Sequence, residues 1–292
     1  MSYTSFNDLT NTIRTNLWKV PQDIDLIVGV PRSGMLAAIL LSEYINKRVS
    51  DLDSFISGIE VKTGSRGRNI KKTAIKRVLV LDDTVFGGGS MKKVRERLEP
   101  LQGKYEFIFA CVYAEGKDAK EKVDIYLEDN YNPNEELWHL YEWNILHHGI
   151  RLSSRCMFDM DGVLCKEPPD ERELAAYEAY LPNALPMVVP TTEVGAIVTY
   201  RLEKYRPVTE AWLKKQGIQY KALHMFQAET YEERRATERA AAYKARMYKS
   251  ADWALLFIES NPRQAELIAQ ASGKQVFCYG NGKMYEAGGN QR

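Results

Sequence analysis

Short runs of apolar and β-branched residues, each closed by a polar or glycine-rich turn, set the pattern of this chain. In the first half they are DLIVGV at 25–30, RVLVLDD at 77–83 and EFIFACVYA at 106–114. Continuous apolar runs of this length suit strands buried on both faces, as in a parallel sheet. The first two lead into predicted helices over 35–44 and 91–98, and the third follows the second helix. A second series opens near residue 155. RCMFDMDG reads as a strand into a turn, AIVTY at 196–200 as a strand before a helix over 203–216, and ALLFIES at 254–260 as a strand before a helix over 263–272. GKQVFCYG reads as one more strand, and 279–292 as a final turn and frayed tail. Strands alternating with helices predict an α/β protein of two doubly wound parallel-sheet domains, whose ligands lie outside the carboxyl ends of the strands. The boundary is placed at about residue 150, giving domains over 1–150 and 151–292.

A length of 292 residues suits two domains that each bury a core. With 40 Lys and Arg against 39 Asp and Glu, the chain lacks the concentrated basic field needed to coat nucleic acid or an anionic membrane. Cys111, Cys156, Cys165 and Cys278 form no CxxC pair, so neither a zinc finger nor a disulfide scaffold is indicated. The first twenty residues lack the pattern of a signal peptide, and no run approaches the ~18 apolar residues of a membrane span. These features predict a soluble, cytoplasmic protein with no membrane partner.

VLVLDDTVFGGGSM, residues 78–91, carries the first candidate chemistry. A strand delivers Asp82 and Asp83 to its end, and a turn of Thr84, Gly87, Gly88, Gly89 and Ser90 follows. Glycines let backbone N–H groups approach an anion, and the helix that follows adds the positive end of its dipole. Phosphate suits the turn, and the carboxylates suit a sugar diol. The stretch resembles the phosphoribosyl pyrophosphate (PRPP) signature of type I phosphoribosyltransferases, with Gly87 and Ser90 where Thr is more usual. The resemblance implies that Asp82 and Asp83 hold the ribose hydroxyls and that residues 84–90 hold the 5-phosphate. VGVPRSG at 28–34 is similar to the pyrophosphate loop of that family, which turns the amides around Arg32, Ser33 and Gly34 toward pyrophosphate. Between the two motifs, residues 62–77 carry Lys62, Arg66, Arg68, Lys71, Lys72, Lys76 and Arg77 and no acid, where the family has a mobile loop that closes over the leaving group.

MFDMDGVLC at 157–165 places two aspartates two apart at the end of a strand. At that spacing one carboxylate can attack phosphorus while the other shuttles a proton, and a divalent cation can bridge the first to a phosphate oxygen. The motif resembles the first motif of the haloacid dehalogenase (HAD) superfamily. The resemblance makes Asp159 the nucleophile and Asp161 the general acid and base, and the presence of Asp161 favours phosphate transfer over dehalogenation. It also implies a hydroxyl, met by Thr199, and a basic residue, met by Lys244 with Lys249 as competitor. Acids after a later strand are met only by Glu259, with Ser260 where a second acid is usual. Mg2+ is then held by Asp159, the carbonyl of Asp161, and Glu259. About 35 residues separate the first two motifs, too few for a large cap, so this domain is HAD Rossmann-like with little or no cap.

LWHLYEWNILHHG at 137–149 concentrates Trp138, His139, Tyr141, Trp143, His147 and His148, read either as a hood over an acceptor base or, preferably, as a core segment. Residues 229–249 alternate charge signs and read as a solvated helical face that presents Lys244. Together these readings describe a bifunctional enzyme: PRPP-dependent transfer to a nitrogenous base, plus Mg2+-dependent hydrolysis of a phosphomonoester. The implied partners are PRPP and a base or nucleotide, with nucleic acid disfavoured and room for a homodimer through the first domain. A PRPP-sensing regulator of the phosphatase and a nucleic-acid end phosphatase are the alternatives.

Overall fold

The computed structural model describes residues 1–59, 74–133, 139–147 and 152–288. The chain divides into two compact units, one of Phe6–Trp138 and the other of Met1–Ser5 with His139–Arg292. The sequence pattern sets the boundary near residue 150, whereas packing divides the chain at 138/139. The first five residues join the second unit because strand β1 (Ser2–Thr4) pairs in parallel with a strand over His139–Tyr141. His139 lies between two hydroxyls there, Nδ1 3.0 Å from Ser2 Oγ and Nε2 2.6 Å from Thr4 Oγ1. Its ring stacks on Tyr141, which packs on Trp143, so the described part of this aromatic segment is internal packing. Trp138 and His148 lie outside the described residues.

The first unit runs α1 (Phe6–Thr15), β2 (Leu26–Gly29), α2 (Ser33–Ile45), β3 (Arg48–Asp51), α3 (Leu52–Ile56), β4 (Arg77–Val85), α4 (Gly89–Leu98), β5 (Glu106–Ala114) and β6 (Ile125–Asp129). Its five strands among the described residues are all parallel, in the order β3-β2-β4-β5-β6. Val28, Val80 and Cys111 pack into a core cluster with Val94 and Leu98 of α4. The intervening Ile27, Leu79 and Leu81 are buried as well, so both sheet faces are covered, as the unbroken apolar runs require. β4 extends to Val85 because Thr84 and Val85 still pair with Tyr113 and Ala114 of β5. Thr84, expected in the turn, therefore sits on the strand with the acid pair.

The second unit runs β7 (His139–Tyr141), β8 (Cys156–Phe158), α5 (Leu174–Tyr180), β9 (Ala196–Leu202), α6 (Arg206–Lys215), β10 (Leu223–Phe226), α7 (Tyr231–Thr237), α8 (Ala240–Lys249), β11 (Leu256–Glu259), α9 (Pro262–Ser272), β12 (Val276–Cys278) and β13 (Lys283–Tyr285). Its main sheet has the order β10-β9-β8-β11-β12-β13, parallel except for β13. The sequence over 283–285 is therefore an antiparallel edge strand with Met284 and Tyr285 buried, and not part of a frayed tail. The single helix expected over 229–249 is two, because Glu238 and Arg239 are extended and Arg239 caps the start of α8. All four cysteines are buried and free. No helix among the described residues is long and apolar enough to cross a membrane.

Candidate functional site

In each main sheet the strand order reverses beside the first strand of the series. β2 has β3 on one side and β4 on the other, and β8 lies between β9 and β11. The crevice at such a switch point is where open α/β sheets bind ligands. Both motifs fall there.

At the first switch point, the loop after β2 meets the acid pair of β4. Ser33 Oγ donates to Asp83 Oδ1 at 2.8 Å, and Thr84 Oγ1 donates to Asp83 Oδ2 at 3.3 Å. Gly34 packs so closely that an added Cβ would lie 2.8 Å from both Asp82 Oδ1 and the Leu81 carbonyl oxygen. The spacing of VGVPRSG and VLVLDD thus brings Ser33, Gly34, Asp82, Asp83 and Thr84 together. Arg32, Gly87, Gly89 and Ser90 are exposed around them. A Cβ at Gly87 or Gly89 would meet open space, so packing does not demand glycine there. Gly88 caps the start of α4 in a left-handed conformation. Asp82 is 7% exposed, and burial, followed by the neighbouring Asp83 carboxylate, pushes it up to about 8. Of the seven cations between the motifs, Lys62, Arg66, Arg68, Lys71 and Lys72 lie outside the described residues. Arg77 is not free to close over a ligand, because it opens β4 and pairs with Asp23 and Glu106.

At the second switch point, Asp159 follows β8 directly and its N–H donates to the Ile258 carbonyl at 2.9 Å. Lys244 Nζ, from α8, donates to Asp159 Oδ2 at 2.7 Å and to Glu259 Oε2 at 2.8 Å. All three side chains are almost wholly buried. Burial first, and then the Glu259 charge, push Asp159 well above the usual carboxylate range, with Lys244 opposing. Burial works against the Lys244 charge, but Asp159 and Glu259 outweigh it and hold the ammonium above the usual lysine range. Lys249, the competing cation, is exposed at the end of α8. Gly162 has φ of +81°, and a Cβ there would lie 2.4 Å from Ser260 Oγ, which is why a glycine follows the two aspartates.

Thr199 is fully buried in β9, where its Oγ1 accepts the Arg201 N–H at 3.3 Å. A cavity of about 240 Å³ is lined by Asp159, Asp161, Lys244, Arg201, Arg234 and Glu171, among others, and Thr199 is not among its lining residues. Sequence reasoning missed three of these. Arg201 pairs with Asp161, Arg234 pairs with Glu171 at 2.6 Å, and both arginines are buried. Arg201 follows Thr199 by two on the same strand, so period-two alternation was the available signal. For Arg234, the alternating charges of 229–249 predict a solvated face instead. Among the described residues no group of three or more His, Cys, Asp or Glu side chains is arranged to hold a metal ion. The donors expected for Mg2+ are two carboxylates and a backbone carbonyl, an all-oxygen set whose chemistry suits that ion.

Residues 2–139 match the family model of the phosphoribosyl transferase domain. No curated protein matches the chain. Among solved structures, the chain is similar to the xanthine-guanine-hypoxanthine phosphoribosyltransferase of Helicobacter pylori, at 20% identity over 49% of this chain and 92% of that one, with a TM-score of 0.37. It is similar to a purine phosphoribosyltransferase from Pyrococcus horikoshii at 24% identity over 49% and 92%, with a TM-score of 0.34. For the orotate phosphoribosyltransferase of Aeropyrum pernix the values are 18% identity, 42% and 70%, and 0.32. The match to the phosphoribosyl transferase domain model is confined to residues 2–139, the first part of the chain.

Proposed function

We propose that the protein is bifunctional, transferring a phosphoribosyl group from PRPP to a nitrogenous base in its first unit and hydrolysing a phosphomonoester through Asp159 in its second. The observation that carries the second half is the placement of Lys244 between Asp159 and Glu259 at the switch point of a parallel sheet. The second unit is read as a HAD-type phosphatase on this ground. For the first half, the Ser33–Asp83 bond joins the two motifs that resemble the PRPP site. Asp82 and Asp83 accept from the ribose hydroxyls, the amides around Arg32, Ser33 and Gly34 face pyrophosphate, and residues 84–90 hold the 5-phosphate. The base forms a bond to C1 of the ribose as the C1–O bond to pyrophosphate breaks.

In the second unit Asp159 attacks phosphorus, the ester P–O bond breaks, and the leaving alkoxide takes a proton from the protonated form of Asp161, which returns to the ion pair with Arg201 as it gives the proton up. Asp161 then removes a proton from water, which attacks the phosphoaspartate and releases orthophosphate. Arg201 fixes where Asp161 delivers that proton: Oδ1 accepts from Arg201 Nη2 and from Cys165 Sγ, and Oδ2 keeps a lone pair beyond its bond to the guanidinium. Lys244 draws the phosphoryl oxygens toward Asp159. Asp159, the carbonyl of Asp161 and Glu259 would hold Mg2+, which supplies charge neutralisation at the phosphoryl group when bound.

Hydrolysing the nucleotide would pull the reversible transfer forward. Incubation with PRPP, Mg2+ and a panel of bases, read by mass spectrometry and orthophosphate release, tests this. The expected result is a base-dependent nucleoside with orthophosphate, and for Asp159→Asn the nucleotide without it. Turnover of PRPP and base with no orthophosphate would defeat the coupling, and wild-type phosphatase activity in Asp159→Asn would defeat the nucleophile assignment.

A further inference from the structure

We propose that Arg234 and Glu171 form a subsite that reads the hydroxyl-bearing end of the ester cleaved at Asp159, which makes the substrate class a sugar phosphate. The inference rests on the phosphatase reading of the second unit and adds to it what the ester carries beyond its phosphate.

Arg234 lies in α7 and is 5% exposed. Its Nη1 donates to the Tyr200 carbonyl at 2.5 Å and its Nη2 to Glu171 Oε2 at 2.6 Å, while the guanidinium carbon sits 4.1 Å from the centre of the Tyr200 ring. An arginine and a carboxylate can close two parallel bonds. This pair closes one, and Arg234 Nε and Glu171 Oε1 are buried without a partner. A buried donor and acceptor left unmet are both unfavourable and rare. They occur here on one ion pair, in the wall of the cavity that also holds Asp159 and Lys244.

The chemistry of that pair selects among ligands. A second phosphate is disfavoured, since the Arg234 charge is already balanced by Glu171 and a carboxylate oxygen repels an anion. An apolar group would leave both atoms unmet. A hydroxyl both donates and accepts, so vicinal hydroxyls can satisfy Nε–H and Oε1 together. Tyr177 and Tyr200 also line the cavity. Both unmet atoms are shielded from solvent, so binding requires the Glu171 carboxylate and the Arg234 guanidinium to turn together toward the ligand. The phosphate end goes to Asp159 and Lys244 and the polyol end to Arg234 and Glu171.

The test compares kcat/KM for ribose 5-phosphate and ethyl phosphate, by orthophosphate release, in the wild-type chain, Glu171→Gln and Arg234→Lys. The wild type should favour ribose 5-phosphate by about tenfold or more, because a site built to bond hydroxyls discriminates against an analogue that lacks them. Each variant should shrink that ratio several-fold. A purely structural role would lower both values together and leave the ratio intact, which overturns the inference, as does a wild-type ratio near one. If the wild type hydrolyses neither these esters nor any other phosphomonoester, the phosphatase reading falls and takes the inference with it. Hydrolysis with a flat ratio removes the inference alone.

Discussion

Arg201 and Asp161 close a two-bond ion pair, Nε to Oδ2 at 3.0 Å and Nη2 to Oδ1 at 2.5 Å, with the arginine side chain 1% exposed. A buried pair of this kind contributes modestly as a whole, but loss of one member strands the other, at about 3–5 kcal/mol. Arg201→Gln should therefore destabilise the second unit by about 3 kcal/mol. Arg201→Gln with Asp161→Asn should recover part of that loss, since no charge is then stranded. Urea unfolding of wild type, Arg201→Gln, Asp161→Asn and the double variant measures the coupling, and strictly additive losses would sink the claim that the two residues act as a pair.

Lys244 is the cation that two buried carboxylates share, so its removal has a pH signature. In Lys244→Met nothing opposes the burial that already pushes Asp159 up. A carboxylate raised in the folded state contributes stability that is complete below its unfolded value and is lost as pH rises through its folded value. The deficit of Lys244→Met against wild type should be largest near pH 8 and narrow toward pH 5, alongside loss of phosphatase activity. A deficit independent of pH by denaturant titration would remove the charge-balance argument.

The strands that carry both candidate sites were legible in the sequence. β2, β4 and β5 of the first unit and β8, β9 and β11 of the second all fall in unbroken apolar runs, so the acids at their ends could be read directly. β3 was not legible, because RVSD is short and mostly polar at a sheet edge. Arg201 and Arg234 were missed for one physical reason. Sequence patterning assigns a lone arginine to solvent, and both are buried here only because Asp161 and Glu171 arrive from distant segments to balance them. Thr199 was found by motif, but its hydroxyl is engaged by the backbone of Arg201. The N-terminal strand looked like part of the first unit, and only its pairing with β7 assigns it to the second.

Asp82 makes the first unit sensitive to pH. Its folded value of about 8 lies above its ordinary 3.8, so its contribution to stability is complete below about pH 4 and is lost progressively up to about pH 8. Asp82→Asn removes that dependence. In the absence of ligand the variant should gain on wild type as pH rises from 4 to 8, by at least about 1 kcal/mol at the upper end. PRPP should show the opposite preference, binding wild type more tightly as Asp82 loses its proton, whereas Asp82→Asn with Asp83→Asn should bind weakly throughout. Calorimetry at pH 6 and 8.5 reads the second effect, and equal affinity in the double variant would defeat the ribose-diol role.

Gly34 is the point where the loop after β2 touches β4. An alanine Cβ there would sit 2.8 Å from the Leu81 carbonyl oxygen and 3.0 Å from Asp82 Cα, both backbone atoms held by the central strand of the sheet. The clash can be relieved only by lifting the loop, which also draws Ser33 away from Asp83. Gly34→Ala should therefore cost about 1–3 kcal/mol of stability, the usual range for overpacking, and weaken PRPP binding tenfold or more. Gly87→Ala serves as its contrast. Open space surrounds that position, so stability should stay within about 0.5 kcal/mol while PRPP binding falls, because only a phosphate on the loop would meet the new methyl. If Gly34→Ala unfolds no more easily than wild type, the close approach is not fixed by the sheet. If Gly87→Ala binds PRPP unchanged, the phosphate does not lie on that part of the turn.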